Sequence, residues 1–292
     1  MRQTSTMRDN FILCESPHGN HRLAYREWGD RDNSKVLICL HGLTRNSQDF
    51  DLLAQALQKE YYVICPDIFG HGKSDWLTNP AYYVFPFYVS NLLSLLRQLN
   101  LSQVDWLGTS LGGIIGNAIA SQFPTLIKRL ILNDVGAFIP KNGLRNIAKY
   151  LRLPVPYFQD FRDAENYIRY YYASWGDLTD QQWQIFTKNT IKPTAEGGYR
   201  LHHDPQIGGK FPGNAIGDIQ DINLWEYWRL IRCPVLILHG EKSNILLPET
   251  IREMEEIHPQ TNVIHLANCG HAPALMDESQ IKMIQKWLLP KN

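Results

Sequence analysis

The sequence has no excess of charge of either sign. Its 292 residues contain 29 Lys and Arg and 29 Asp and Glu, so the formal net charge at pH 7 is +0. Nucleic acids and anionic membranes are recognised largely through an excess of Lys and Arg. The composition therefore predicts no nucleic-acid partner and no membrane partner, and it favours a small-molecule substrate. It leaves the oligomeric state open.

Long hydrophobic runs and paired cysteines are also missing. No apolar stretch approaches the roughly 20 residues of a membrane-spanning helix, and the polar first ten residues are not followed by the apolar segment of a signal peptide. The five cysteines are widely spaced and form no CxxC pair, which is typical of buried, reduced thiols. We therefore expect a cytoplasmic protein.

The sequence carries no complete cofactor motif. No GxGxxG pattern follows the first strand of the predicted sheet, which argues against a dinucleotide. The run His202-His203-Asp204 is not completed by a further group of ligands, and consecutive side chains point in different directions. We expect neither a metal nor an organic cofactor.

Short apolar runs alternate with longer segments of helical periodicity, which is the pattern of an α/β protein with a parallel sheet. Aliphatic runs of this kind are typical of strands that are buried on both faces. The predicted strands are Val36 to Leu40, Tyr62 to Cys65, Val104 to Leu107, Leu130 to Leu132, Val235 to Leu238 and Val263 to Leu266. The predicted helices are Ser47 to Lys59, Val89 to Leu99, Leu111 to Phe123 and Ser279 to Leu289. An antiparallel hairpin that turns near Gly19-Asn20 is predicted before them.

One interval interrupts this alternation. Residues 140–228 contain no convincing buried strand, their helical patterns are broken by Pro and Gly, and they hold about half of the aromatic residues. Most of these aromatic side chains are expected to form the interval's own core, and a minority to line an apolar pocket. We predict a core domain of residues 1–139 and 229–292 and an inserted helical cap, or lid, of residues 140–228.

The segment Gly108-Thr109-Ser110-Leu111-Gly112 follows a predicted strand directly and opens a predicted helix. This is G-x-S-x-G in a strand, turn, helix context, which is typical of a nucleophilic serine on a strained turn. The glycines are expected because a side chain two positions before or after the serine would collide with the neighbouring chain. Ser110 is the predicted nucleophile, and the N–H of Leu111 at the helix start is a predicted oxyanion donor.

A serine hydroxyl needs a general base, which is most often a histidine. Among the ten histidines, only His271 lies in a short loop just beyond a late strand, at the sheet edge where the serine turn also opens. His271 is the predicted base. His41-Gly42-Leu43 follows a strand at the same edge, so the N–H of Leu43 is the second predicted oxyanion donor, and Gly42 is expected to permit close approach. His41 is expected to pack and to form hydrogen bonds.

The order of these motifs resembles the α/β-hydrolase fold family, in particular its serine esterase and lipase-like branch with a helical lid. The resemblance rests on His41-Gly42 after the third strand, the segment Asp67 to Ser74 after the fourth, Ser110 after the fifth, and Gly270-His271 after the eighth. It implies an eight-stranded, mostly parallel sheet, a cap inserted after strand 6, and a triad in the order Ser, acid, His. It also implies that Asp67 to Ser74 is a structural loop.

The sequence departs from the family at the acid. By resemblance the acid should follow the seventh strand at position 244, but this chain has Asn244. An amide lacks the charge that stabilises the imidazolium. Three explanations stay open: Asn244 inactivates an otherwise intact enzyme; Asp134, after the sixth strand, supplies the acid; or the chain is a slow enzyme or a non-catalytic receptor. Glu241 lies too close to the strand end to substitute.

The sequence therefore predicts a serine hydrolase that cleaves a small to medium apolar ester, or a related acyl substrate, through an acyl-enzyme. The same fold also supports carbon-carbon hydrolase, perhydrolase and lyase chemistry, and a small-molecule sensor is the alternative outside enzymes. Arg45, near the oxyanion loop, is predicted to be a solvated surface charge, with a substrate carboxylate as the alternative partner.

Overall fold

An eight-stranded sheet runs through the centre of the computed structural model, which describes residues 7–16, 19–210 and 215–289. We number its strands in chain order: β1 (Arg8–Ser16), β2 (Gly19–Trp28), β3 (Val36–Leu40), β4 (Tyr62–Pro66), β5 (Val104–Thr109), β6 (Ile127–Asn133), β7 (Val235–Gly240) and β8 (Thr261–Leu266). Their order across the sheet is β1-β2-β4-β3-β5-β6-β7-β8. The pairs β1 with β2 and β2 with β4 are antiparallel, and every other pair is parallel.

Helices cover both faces of this sheet, which is why its central strands are buried throughout. The helices are α1 (Asp51–Leu57), α2 (Phe85–Gln98), α3 (Leu111–Gln122), α4 (Lys141–Leu151), α5 (Phe161–Tyr171), α6 (Asp180–Thr190), α7 (Trp225–Trp228), α8 (Pro248–Ile257) and α9 (Glu278–Leu288). Alternate side chains of β3 enter opposite cores. Ile38 and Leu40 join the apolar cluster that includes α2 and α3, and Leu37 and Cys39 join the cluster that includes α1 and α9.

The eight-stranded, mostly parallel sheet predicted from the sequence is confirmed. Strand β3 has the predicted bounds, and the other strands are longer than expected. Two local predictions need correction, and one helix was missed. The predicted helix from Ser47 is a 3-10 turn (Ser47–Phe50) followed by α1, and α8 was not predicted. Gly19 and Asn20, where the hairpin was expected to turn, are paired with Ser16 and Glu15 in its strands. Residues 17–18 lie outside the described residues.

The interval between β6 and β7 contains α4 to α7 and, against expectation, short strands. Three of these form one small sheet (Tyr157–Phe158, Ile191–Pro193 and Tyr199–Leu201), and two more pair as Phe138–Ile139 with Ile222–Asn223. Buried polar contacts tie this interval to the loop after β3: the side-chain amide of Asn46 donates to the Asn189 carbonyl at 2.6 Å. In the described part of the chain, no helix has the length and apolarity required to cross a bilayer.

Candidate active site

Ser110 lies between β5 and α3 in a backbone conformation that residues with side chains seldom adopt, with φ 51° and ψ −113°. The turn is closed so tightly that its glycines are required. A β-carbon on Gly108 would lie 2.2 Å from the carbonyl carbon of Gly112, and one on Gly112 would lie 2.2 Å from the carbonyl oxygen of Leu40. The collisions expected from the G-x-S-x-G pattern are therefore found with backbone atoms, which cannot rotate away.

The loop after β8 brings the His271 ring to this serine. The Ser110 Oγ to His271 Nε2 distance is 2.9 Å, and the His271 Nδ1 to Asp134 Oδ2 distance is 2.8 Å. A carboxylate only accepts hydrogen bonds, so the neutral imidazole carries its proton on Nδ1. Nε2 is then free to accept the proton of the serine hydroxyl, which is the tautomer that a general base requires.

Asp134 follows β6 directly, and its carboxyl group is fully buried. Its Oδ1 accepts the backbone N–H of Gly240 at 2.9 Å, and its Oδ2 accepts the Ser243 hydroxyl at 2.6 Å in addition to His271. The Ser243 oxygen itself accepts the N–H groups of Ile245 and Leu246, so its one proton is directed to Asp134. Three donors thus stabilise the carboxylate in place of water.

Asn244, the position where the family pattern places the acid, is exposed to solvent. Its backbone carbonyl lies against Gly143 of α4, where a β-carbon would approach to 2.3 Å. Of the two positions considered for the acid, the structure brings Asp134 to His271 and leaves Asn244 at the surface. Sequence reasoning missed Ser243, although its place in the loop after β7 was a usable signal.

Leu43 and Leu111, which carry the two candidate oxyanion donors, line the same cavity as Ser110. The Gly42 carbonyl accepts hydrogen bonds from His41 Nδ1 at 2.7 Å and from the Arg45 N–H at 3.1 Å. Because the peptide unit is planar and trans, these bonds fix the Leu43 N–H on the opposite side. The Leu111 N–H is the first of α3, where no acceptor exists within the helix. A β-carbon on Gly42 would lie 3.6 Å from Ser110 Cβ, an ordinary contact, so the expected need for glycine there is not found.

Two cavities meet at Ser110. The larger, of about 470 Å³, is lined mainly by apolar side chains and includes Leu111 and Ile114 of α3. The smaller, of about 80 Å³, includes His271 and the polar side chains of Thr44, Tyr150 and Tyr172. The interval 140–228 lines both cavities, so it contributes walls to the site. The sequence predicted that a minority of the interval's aromatic residues line an apolar pocket. Tyr227 lines the larger cavity, and Tyr150, Tyr171, Tyr172 and Trp175 line the smaller one.

Arg45 lines the smaller cavity, and the prediction of a solvated surface charge is wrong because only 1% of its side chain is exposed. Its guanidinium binds both carboxylate oxygens of Asp49, at 2.9 Å and 2.5 Å, and also donates to the Thr190 hydroxyl. The Phe186 ring centroid lies 3.8 Å from its central carbon. Because Asp49 already neutralises the charge, a substrate carboxylate has no free cation to bind here.

The run His202-His203-Asp204 makes structural contacts. Asp204 Oδ2 accepts the Tyr83 hydroxyl at 2.6 Å, and the His203 ring stacks on the His71 ring with centroids 6.3 Å apart. Within residues 7–16, 19–210 and 215–289, no group of three His, Cys, Asp or Glu side chains converges as a metal site would require. Burial lowers the pKa of His203 to about 3, because the charged imidazolium would lose its water.

This shift makes stability depend on pH with a definite sign. Below its ordinary pKa near 6.5, the unfolded chain binds a proton on His203 that the folded chain refuses, so stability is lost as the pH falls below that value. His203→Gln is expected to reduce the loss between pH 7 and pH 5 by about 1–2 kcal/mol. Urea unfolding of wild type and variant at both pH values measures the difference.

The effect of His203 is measured as the difference between wild type and His203→Gln, because other groups also change stability with pH. Burial raises the pKa of Asp67 to about 6, which favours the folded state as the pH falls and partly offsets the histidine in the wild type. The offset cancels when the variant is subtracted from the wild type. An identical pH dependence in both proteins would contradict the role given to His203.

Residues 35–277 match the family model described as the alpha/beta hydrolase fold. The chain belongs to this family. The strand order, the serine turn after β5 and the histidine after β8 agree with the alpha/beta hydrolase resemblance inferred from the sequence.

Several relatives of this alpha/beta hydrolase carry hydrolase names. The chain is 39% identical to a "3-hydroxybutyrate-oligomer hydrolase" of Cupriavidus necator over 283 residues, which cover 95% of this chain and 96% of that protein. It is 26% identical to "Lipase 1" of Psychrobacter immobilis, over 88% of this chain and 78% of that one. A solved structure of a putative hydrolase from Rickettsia typhi is similar with a TM-score of 0.89, 34% identity and coverage of 98% and 99%.

Proposed function

We propose that this protein is a serine hydrolase of carboxylic esters with Ser110, His271 and Asp134 as its triad. The observation that carries the proposal is the unbroken series of hydrogen bonds from Ser110 Oγ through the imidazole to the Asp134 carboxylate, beside two cavities. In this arrangement His271 accepts the serine proton as Oγ attacks the ester carbonyl. Asp134 stabilises the imidazolium that forms.

The remaining steps use the same groups. The Leu43 and Leu111 N–H groups stabilise the negative oxygen of the tetrahedral intermediate, the imidazolium gives its proton to the leaving alkoxide, and an acyl-enzyme remains on Ser110. Water, activated by His271, then releases the acid. Apart from the ester and water, every group used in these steps is a residue of the chain.

The substrate class follows from the cavity and from the relatives. A cavity of about 470 Å³ lies in the range of small-molecule sites, and its lining favours an apolar chain. The relative from Cupriavidus necator is named for hydrolysis of 3-hydroxybutyrate oligomers, which are linear esters with a short repeating unit. We propose esters of this size, including hydroxyalkanoate oligoesters, as substrates. The receptor alternative depended on Asn244, which is not the partner of His271.

Active-site labelling tests the proposal. A fluorophosphonate is expected to add once per chain, on Ser110, and to abolish hydrolysis of ethyl butyrate in proportion to labelling. Ser174→Ala is the matched control, because Ser174 is an exposed serine whose hydroxyl contacts the His271 backbone carbonyl rather than the ring. It should label normally, whereas Ser110→Ala should not. Labelling elsewhere, or none with intact protein, would refute the nucleophile.

A further inference from the structure

The two cavities at Ser110 differ in which catalytic groups they contain. Ser110 and Leu43 line both, but His271 lines only the smaller cavity and Leu111 only the larger. The serine therefore lies at a junction between two compartments. We call the larger cavity the apolar compartment and the smaller one the histidine compartment.

The chemistry of ester cleavage assigns an occupant to each compartment. When the tetrahedral intermediate collapses, the bond between the carbonyl carbon and the alkoxide oxygen breaks, and that oxygen takes the proton from His271 Nε2. The leaving oxygen must then be within about 3 Å of Nε2, so its substituent lies on the histidine side. The negative oxygen faces the Leu43 and Leu111 amides. The fourth substituent of the tetrahedral carbon is the acyl chain, and the space left for it is the apolar compartment.

We propose, on the basis of the hydrolytic function above, that the apolar compartment binds the acyl chain and the histidine compartment binds the leaving alcohol. The two differ in volume, about 470 Å³ against about 80 Å³. The enzyme therefore accepts a medium-length apolar acyl chain but selects a short alcohol. Specificity for the two halves of the ester is set by different residues.

The histidine compartment also selects for polarity in the alcohol. Thr44 Oγ1 lies 2.9 Å from the Tyr172 hydroxyl and 3.5 Å from the Tyr150 hydroxyl, so three hydroxyl groups face one another in this wall. Hydroxyl protons can rotate toward a bound acceptor. An alcohol that carries a second oxygen, such as an ether oxygen or the carbonyl oxygen of a hydroxy acid, can accept a hydrogen bond from these hydroxyl groups. We therefore expect it to bind better than an alkyl alcohol of the same shape.

Two isomeric esters test the assignment without any mutation. Ethyl octanoate and octyl acetate have the same formula, but the long chain is on the acyl side in the first and on the alcohol side in the second. We expect kcat/KM to favour ethyl octanoate by about 100-fold, because its long chain fits the apolar compartment, whereas the octyl chain of octyl acetate does not fit the histidine compartment. A ratio below ten, or a preference for octyl acetate, overturns the assignment. If ethyl butyrate, whose acyl chain and alcohol are both short, and both isomeric esters resist hydrolysis, the proposed function itself fails.

Variants separate the compartments. Ile222 lines only the apolar compartment and is partly exposed, so Ile222→Trp should lower the ratio of octanoate to butyrate ethyl ester hydrolysis at least tenfold. Wild type should prefer 2-methoxyethyl octanoate to butyl octanoate, because the two short alcohols have the same chain length and only the first carries a second oxygen. Tyr172→Phe should reduce this preference, mainly through KM. The neighbouring exposed Tyr170 is the control, and Tyr170→Phe should keep that preference. If Tyr172→Phe keeps this preference as well, the hydroxyl groups of Thr44, Tyr150 and Tyr172 do not select the alcohol.

Discussion

Replacing Asp134 by Asn is expected to lower kcat for ester hydrolysis by about 10⁴-fold, which corresponds to roughly 5 kcal/mol of activation free energy. The carboxylate is fully buried and is the hydrogen-bond partner of His271 Nδ1. The amide has almost the same shape, but it lacks the charge that stabilises the imidazolium. It can also donate to Nδ1 and so hold the ring in the wrong tautomer. Steady-state kinetics near pH 8, with burst titration to count active sites, measures the loss.

Asn244→Asp is the matched comparison for this experiment. Asn244 is exposed in the loop after β7, so an acid there is expected to change kcat less than about threefold. If Asn244→Asp instead raised turnover a hundredfold while Asp134→Asn had little effect, the acid would belong at 244 and the chain would be an inactivated enzyme. The two variants thus distinguish the explanations left open by the sequence.

Replacing Gly112 by Ala is expected to lower the free energy of unfolding by more than about 3 kcal/mol. The new β-carbon would lie 2.2 Å from the Leu40 carbonyl oxygen and 2.9 Å from that of His41. Both are backbone atoms at the end of β3 and the start of the loop after it, so the collision can be relieved only by moving α3 away from the sheet. Denaturant unfolding gives the change in stability, and the melting temperature should fall by roughly 5 °C or more.

Gly42→Ala is the control from the opposite side of the same site. Its β-carbon would be in ordinary contact with Ser110 Cβ at 3.6 Å, and its stability should stay within about 1 kcal/mol of wild type. Equal destabilisation by both substitutions would show that close packing of α3 against β3 is not what requires Gly112. The pair of variants also tests whether Gly42 and Gly112 are both required, since the sequence analysis expected a glycine at each position because of close packing.

Local patterns were sufficient for much of this protein. The runs VLICL, YVIC and VLIL became central strands because aliphatic residues at every position fit a strand that is covered on both faces. The turn at Ser110 was recognisable because its glycines are required by close backbone contacts within the turn and with the adjacent strand. Helix α8 carried a usable signal as well, with Pro248 at its start and Ile251 and Met254 on one buried face.

The burial of Arg45 could not be read from its neighbours in the chain. The cation is enclosed by Phe186 and Thr190, which lie more than 140 positions away in α6, and it is paired with Asp49 one turn later. A charge of this type is stable inside a protein only when such partners surround it. The expectation of a solvated side chain failed because the partners arrive through tertiary contacts.

The sequence by itself determined the family, the sheet and the identity of the serine and histidine candidates, because each depends on short segments with strong steric or periodic requirements. Only the tertiary structure brought Asp134, rather than position 244, to His271. Strands β6 and β7 are adjacent and parallel, so the loops that follow them begin at the same edge of the sheet. Strand order alone therefore places both positions close enough to His271. The Asp134 backbone, with φ 55°, and the donors Gly240 and Ser243 decide which side chain turns inward.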